Sequence, residues 1–455
     1  MANSYLSHTQ TNDSSNTKFT FSVWFKRSKL GNQCIYATQA GSEEGRIEFD
    51  SNNKLFWYKY NGSAFQWNLY TNREFRDVNA FYHLVLTYDS TQTTASDRLK
   101  MYVNGVQETS FQSGYENYPS QNANSEYFQA ADALIGVNEN TTQHFEGYMS
   151  HVAMSHGYAY GPTNFGETDS TSGIWKFKSP SGVTWGTQGY HLKFENSGNL
   201  GLDSSGQSNN FTTNGNLIQS KDTPSNSFCT LNPNLPIPSG FTITNGNLSF
   251  ASNTTQWQGN VCSIAPTKGK WYYECKYTTG VGIKLDITRQ KQDMRHMGTA
   301  NQSYGAYNDV GYGYQLNNSG TDYYCNNDSC TTWNSSRGNS TKIYMVCIDL
   351  DNGKYWIGAD GTWFNKTGTA NPATGTDPVH DFSANLNGDP FFITLSAEHT
   401  GSTHHANFGS GYYGTTAVST NSGNGYSDGN SEGKFSYQPP SGFYALNTKN
   451  YNTYG

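Results

Sequence analysis

Charge is scarce in this chain. Lys, Arg, Asp and Glu make up 14% of its 455 residues, against about 25% in ordinary soluble domains. The net charge is −7, and the densest basic patch is the short Lys26-Arg27-Ser28-Lys29. Nucleic-acid binders neutralise phosphates with clustered Lys and Arg, so no nucleic-acid partner is expected. Long apolar runs are missing too. None approaches the roughly 20 residues needed to cross a bilayer, so no membrane is expected. Residues 1–10 have neither a basic start nor an apolar centre. A secretory leader is therefore not expected, and synthesis in a cytoplasm is.

Helical periodicity is also lacking. No window of 12 or more residues repeats its apolar positions at helical spacing. At most a short helical turn is expected near Ala130-Ala131-Asp132-Ala133. Heptads and collagen-like repeats are missing, which excludes a fibrous stalk. Cysteine is sparse, with seven residues at 34, 229, 262, 275, 325, 330 and 347. An odd number at irregular spacing does not make a disulfide framework. Only Cys325 and Cys330 sit close together, and a zinc site would want a second such pair or histidines at ligand spacing. Buried or incidental thiols are the expectation, with no metal and no cofactor.

What the chain does have is rings and turns. Aromatics are 15% of it, with 33 Tyr, 25 Phe and 47 Gly. Asn-Gly pairs at 61, 104, 214, 245, 352 and 387 and Asp-Gly at 360 and 428 suit tight hairpin turns. In "FYHLVLTYDSTQTTASDRLKMYVNGVQ" (81–107), Leu99, Met101 and Val103 alternate with Lys100 and Tyr102. Period two buries one face and wets the other. The almost wholly apolar run from His83 to Tyr88 suits an interior sandwich strand. The stretch reads as strand, polar crossover, strand, turn, strand, and the chain as all-β.

Strand signals concentrate in two regions, about 5–165 and 241–447. The stretch 166–240 is expected as an irregular connector whose aromatic strand "GYHLKFE" docks on the first region. Insertions are expected near 285–340 and at the Gly/Ser/Asn-rich 409–433, the latter as surface loop. Residues 448–455 are expected as a tail.

The order of "FTFSVWFKRS" (19–28), "FYHLVLTYDS" (81–90), "RLKMYVNGVQ" (98–107), "ALIGV" (133–137) and "FEGYMSHVAMSHGYAYGPTNFGE" (145–167) resembles a concanavalin A-like, laminin-G-type jelly roll. With "YLSHT" (5–9) and "DTPSNSFCTLNP" (222–233), the first half is similar to structural proteins of tailed phages, particularly marine ones. The second region resembles a SPRY domain, carried by "GKWYYECKY" (269–277), "YMVCIDLDNGKYWIGADGTWFN" (344–365), "PFFITLSA" (390–397), "ANFG" (406–409) and "FSYQPPSGFYALN" (435–447). The resemblance implies two concanavalin A-like sandwiches in tandem, on the surface of a virion.

Such sandwiches host both lectins and glycosidases, so the site must decide. Laminarinase-like members carry Glu-x-Asp-x-x-Glu on one strand face, supplying two carboxylates about 5 Å apart. In "IEFDSNN", Glu48 and Asp50 fit, but the acid/base position is Asn53. The segment is expected as a wet strand edge beside a turn. "GNSEG" (429–433) matches a nucleophile elbow but lacks the apolar strand before it and the helix after it. "HTGSTHH" (399–405) offers three histidines without a partner carboxylate at helical spacing. "DLDNG" (349–353) hints at calcium, yet Gly353 falls on a ligand position. Laminin-G-type domains often bind calcium through acids near the glycan site. Here His151 and His156 stand where related phage sequences tend to carry acids. No catalytic residue is expected and the chain is read as non-enzymatic.

In "LFWYKY" (55–60), if Leu55 and Trp57 face the core, Phe56, Tyr58 and Tyr60 face outward. Rings flanked by the amides of "NGSAFQWN" (61–68) suit sugar stacking or a protein contact. Phe56, Tyr58, Tyr60 and Trp67 are thus the candidate ligand-binding residues. Three functions compete: a structural capsid-decoration or tail protein contacting other virion proteins, as a homo- or hetero-oligomer; an adhesin for host polysaccharide; and a glycan-cleaving enzyme. The missing carboxylate pair counts against the third. The sandwich starting near residue 5, with neither a preceding anchor domain nor a stalk, favours the first.

Overall fold

In the computed structural model the regular structure is almost wholly β, with one α-helix, Thr448–Tyr454, and a few single-turn 3-10 helices among the described residues. The structure describes every residue except 1–3, 12, 14, 126, 129, 130, 236, 238, 256, 280, 281, 290–310, 318–320, 327, 328, 336–341, 399 and 420–424. Much of the insertion expected near 285–340 therefore lies outside the described residues. The chain divides into two compact units, residues 1–219 with 223–225 and residues 220–222 with 226–455.

The strands of the first unit are β1 Tyr5–Thr9, β2 Lys18–Arg27, β3 Gln33–Ala40, β4 Glu43–Phe49, β5 Lys54–Tyr60, β6 Phe65–Glu74, β7 Tyr82–Asp89 and β8 Leu99–Val103. They continue with β9 Val106–Glu108, β10 Phe111–Asn117, β11 Asp132–Ile135, β12 Gly147–His156, β13 Gly166–Thr168, β14 Trp175–Phe177, β15 Tyr190–Leu192 and β16 Thr212–Asn214. One sheet has eight strands in the order β10-β6-β5-β4-β3-β11-β1-β16, and the other six, β15-β12-β2-β7-β8-β9. Their inner faces share one core. Phe19 of β2 meets Trp57 of β5 edge-on at 6.1 Å, and Phe21 meets Tyr36 of β3 at 5.4 Å. The alternation in β8 is realised, with Leu99, Met101 and Val103 buried and Lys100 and Tyr102 half-buried. Asn104 and Gly105 take φ of 50° and 80°, the left-handed pair that a two-residue hairpin turn requires.

Two expectations, the helical turn and the C-terminal tail, need revision. Asp132–Ile135 is a strand held between β1 and β3 rather than a helical turn. A short alanine-rich piece cannot nucleate a helix by itself, and here two strand neighbours take its backbone groups. The stretch 166–240 is shared between the two units. β15 pairs with β12 and β16 with β1, each extending a sheet of the first unit, whereas Cys229 and Leu231 lie in the core of the second. The final residues form a helix whose N-terminus is capped by the Asn447 side chain, accepting from the Asn450 amide at 2.8 Å.

The second unit also packs two sheets. One runs Phe241–Thr244, Ser249–Ser252, Ser402–Asn407, Lys270–Thr279, Ile343–Asp349, Lys354–Ala359, Thr362–Trp363. The other runs Gln258–Val261, Phe391–Glu398, Gly282–Arg289, Gly311–Asn317, Thr321–Asn326, Ser329–Ser335. Cys325 and Cys330 lie opposite each other on adjacent strands and form a disulfide, contrary to the expectation of incidental thiols. The other five cysteines are buried thiols.

The low-complexity stretch 409–433 is not merely surface loop. It delivers Tyr413, 3% exposed, to the buried carboxylate of Glu274. Glu274 also accepts from Tyr272 Oη at 2.9 Å, Asn407 Nδ2 at 3.3 Å, and the amides of Ser436 and Tyr437 at 2.9 and 2.8 Å. Burial pushes this carboxyl above its usual range, against those donors.

Candidate functional site

The eight-stranded sheet turns one face to the core and the other outward. Residues directly opposite on paired strands share a face. Register therefore groups Glu44 with Tyr60, Arg46 with Tyr58, Glu48 with Phe56, and Phe56 with Tyr70. These side chains alternate with Ile47, Phe49, Leu55 and Trp57, which are in the core. Phe56 is the hub of a ring cluster, with centroids 4.5 Å from Tyr58, 4.9 Å from Tyr70, 5.3 Å from Phe65 and 5.8 Å from Tyr115. Tyr60 joins through Phe65 at 5.5 Å. Phe65 and Tyr115 are each 41% exposed.

Of the four candidate residues, Phe56, Tyr58 and Tyr60 are brought together on this face, with Tyr58 nearly buried at 5% exposure. Trp67 is not among them. It is 2% exposed and packs inward on Trp57 at 5.0 Å. Trp67 pairs with the inward-facing Lys59 in regular register with Trp57 and Leu69; the register shifts only past it, between Lys59 and Tyr60, where Tyr60 faces Phe65. A one-residue bulge flips the faces of the residues beyond it, so Phe65 turns outward although Trp67, two residues on, keeps the inward parity of Leu69. Phe65, Tyr70 and Tyr115 were not among the candidates. Only Phe65 stood in the amide-rich window 61–68, and the bulge that turns it outward leaves no mark in the sequence.

Beside the rings lies a charged cluster. Arg46 contacts Glu44 at 2.9 Å and Glu48 at 3.4 Å, and Glu139 receives both its Nε (2.8 Å) and Nη2. Tyr58 Oη donates to Glu48 at 3.4 Å, and Tyr70 Oη to Asp50 at 2.5 Å. Burial holds the Glu48 and Glu44 carboxyls above the usual range, against the pull of Arg46. Glu48 is not on a wet edge as expected. Its strand is interior to the sheet, and the side chain is 16% exposed. Asn53 accepts from Arg27 Nη1 at 3.1 Å and from the Gly31 amide at 2.7 Å, in a buried structural role. The segment holds an arginine-locked carboxylate where a glycosidase would need an acid and a nucleophile facing a sugar.

The other motifs resolve into local structure. In "GNSEG", Asp428 Oδ1 accepts from the amides of Asn430 and Glu432, closing a turn with Ser431 at φ 63°. His404 and His405 are successive residues of one strand, His404 fully buried and His405 bonded to Ser249 Oγ at 2.7 Å; His399 lies outside the described residues. Asp349 ends a strand and accepts from the amides of Asp351 and Asn352 in the adjoining turn. His151 Nδ1 lies 3.2 Å from His191 Nε2, and His156 Nε2 lies 2.7 Å from Asp13 Oδ2. Among the described residues no group of three or more His, Cys, Asp or Glu is arranged to hold a metal.

Ser22 Oγ and His83 Nε2 are 2.9 Å apart, as in a nucleophile–base pair. The polarity is reversed, however. Trp175 Nε1 lies 2.9 Å from His83 Nδ1, and an indole can only donate. Nδ1 must accept, so Nε2 carries the hydrogen and donates to the serine. Such an imidazole cannot take the serine's proton.

Residues 1–158 match a laminin-G-type family model described as the concanavalin A-like lectin/glucanases superfamily. The first unit thus carries a concanavalin A-like, laminin-G-type domain. Among solved structures, the chain is similar to the TRIM65 PSpry domain at 13% identity, covering 39% of this chain and 89% of that one, with a TM-score of 0.30. It is also similar to the SPRY domain of human HERC1 at 8% identity, covering 37% and 94%, with a TM-score of 0.27. At those scores neither likeness carries an argument about this chain. No curated protein matches the sequence.

Proposed function

We propose that this is a non-catalytic binding protein on the surface of a tailed-phage particle, using the Phe56-centred ring cluster to hold a carbohydrate or a neighbouring virion protein. The observation that carries the binding role is the outward cluster of Phe56, Tyr60, Phe65, Tyr70 and Tyr115 on a sheet whose other face is core. Rings of this kind offer flat apolar area with hydroxyls at the rim, which suits the C–H face of a sugar or an apolar side chain. The reversed Ser22–His83 pair and the arginine-locked Glu48 favour binding over chemistry. The phage setting rests on the sequence resemblance of the first half. Contact with other virion proteins, as a homo- or hetero-oligomer, belongs to this reading. Grip on host polysaccharide, as an adhesin, is the second reading, favoured by the exposed rings.

Two measurements test the proposal. Mass spectrometry of purified particles should find the chain in multiple copies, and its absence would end the virion assignment. The double substitution Phe65→Ala with Tyr115→Ala should weaken retention on host polysaccharide, or on the particle, at least tenfold, as loss of an anchoring ring does. Both residues are exposed, so stability should change little. Unchanged retention on both would remove the ring cluster from function.

A further inference from the structure

The other sheet of the first unit is crossed on its outer face by the segment 160–185. Within it, β13 and β14 form a two-stranded sheet of their own. Three aromatic residues of the segment each lie against one histidine of the main fold. Trp175 lies edge to edge and nearly coplanar with His83 of β7, centroids 5.9 Å apart, while Phe177 stacks on His151 of β12 at 3.9 Å and Trp185 on His191 of β15 at 5.3 Å. The hairpin Gly166–Phe177 makes one hydrogen bond to the six-stranded sheet among the described residues, from Trp175 Nε1 to His83 Nδ1. Further along, the Thr184 carbonyl accepts from Ser155 Oγ and the Trp185 carbonyl from the His156 amide, both at 2.7 Å. His151 is left-handed at φ 49°, where the β12–β2 register shifts. Non-glycine residues sit there only when their surroundings impose it.

We propose that the segment 160–185 is an acid-released strap, which lifts from the six-stranded sheet when His83, His151 and His191 take up protons. The closed state requires His83 neutral and does not allow His151 and His191 both to be charged. Protonating His83 puts a hydrogen on Nδ1, facing the indole N–H, and a donor pair replaces a hydrogen bond. His151 and His191 share one contact between ring nitrogens at 3.2 Å, which two imidazolium rings cannot make.

The surroundings do little to favour the charge. His83 meets Ser22 and the Trp24 ring, stacked at 4.4 Å, on β2, and has His151 as its titratable neighbour. His151 faces Phe177, His191 and the positive Lys193. His191 faces Trp185, Lys193 and Asp203, the one group favouring protonation. Asp203 already accepts from the amides of His191, Ser205 and Asn209. The strap's own charges pair internally: Lys176 with Asp169 at 2.9 Å and Glu167 at 3.5 Å, and Lys178 with the Thr163 carbonyl. Burial, with the neighbouring cations, holds His83 and His151 down to about 3 and His191 to about 4.

Released rings regain ordinary basicity near 6.5, so the open state binds protons more tightly than the closed one. Closure is complete above about pH 6.5 and is lost as pH falls toward 3–4, the opening constant rising up to about 30-fold per histidine at pH 5.

Hydrogen exchange of the full chain between pH 7.5 and 4.5, corrected for the intrinsic rate, tests this. Peptides within 160–185 should lose about 1000-fold protection or more by pH 5, about 30-fold for each of at least two histidines, while those of β2 and β7 keep theirs. The logarithm of strap protection against pH should have a slope of at least two in the wild type and one less in His191→Gln. A strap that stays protected until β2 and β7 exchange with it overturns the proposal, as does a slope of zero. Should His191→Gln not fold, the wild-type profile alone decides.

Discussion

Glu274 shows how much one side chain can organise. It is fully buried, yet Tyr272, Asn407, Tyr413 and two amides at 436–437 converge on it. The carboxylate joins strand, neighbouring strand, low-complexity segment and C-terminal segment. Removing it strands several buried donors, each costing about 1–3 kcal/mol. Glu274→Ala should therefore destabilise the second unit by about 3–5 kcal/mol in urea unfolding. Glu274→Gln should not restore it, because an amide NH₂ would face backbone N–H groups. This partner set was illegible in the sequence, where Glu274 is one acid within "GKWYYECKY" and its partners lie up to 163 residues away. Phe56 and Tyr60, by contrast, were legible from parity alone, whereas Trp67 was chosen for its amide-rich surroundings and shares the inward parity of Leu69; the bulge after Lys59 turns out Phe65 instead.

Among the elements, the β8–β9 hairpin has the clearest local logic and an additional task. Asn104-Gly105 forms the expected turn, and Gly105 also lies under the Trp175 ring of the strap. A Cβ there would stand 2.4 Å from Trp175 Cε3, at φ +80°. Gly105→Ala should thus displace Trp175, at a cost of about 1–3 kcal/mol. The outcome would be faster hydrogen exchange in 166–177 at pH 7, with β2 and β7 unaffected. Normal protection of the strap would show that Trp175 does not depend on that turn. The strap itself was expected only as connector. Its strands are three residues long, too short for periodicity to register, and it is held by rings on histidines distant in sequence, by Phe165 buried on Val85 and Ala153, and by hydrogen bonds of Tyr160 to Thr20 and Thr87.

At the scale of the molecule, each unit has its own core: one built from residues between Leu6 and Phe211, the other from residues between Cys229 and Leu446. A fragment ending at residue 225 keeps the whole first core and both of its sheets. It should unfold in a single cooperative transition by calorimetry. A fragment ending at 165 should not, since it loses β15, β16 and the core residues Tyr190, Leu192 and Phe211. Aggregation of the longer fragment, or stability of the shorter one, would contradict this division.

The all-β class, the hairpin turns, the alternation in β8 and the outward rings of β5 were determined by the sequence itself, because period two and left-handed turn residues act over neighbouring positions. The bulge that separates Phe65 from Trp67, the locking of Glu48 by Arg46 and Glu139, the reversed Ser22–His83 hydrogen bond and the strap's three ring–histidine contacts were decided only by the tertiary structure. Each depends on which distant side chain occupies the facing position, and sheet register sets that over tens to hundreds of residues.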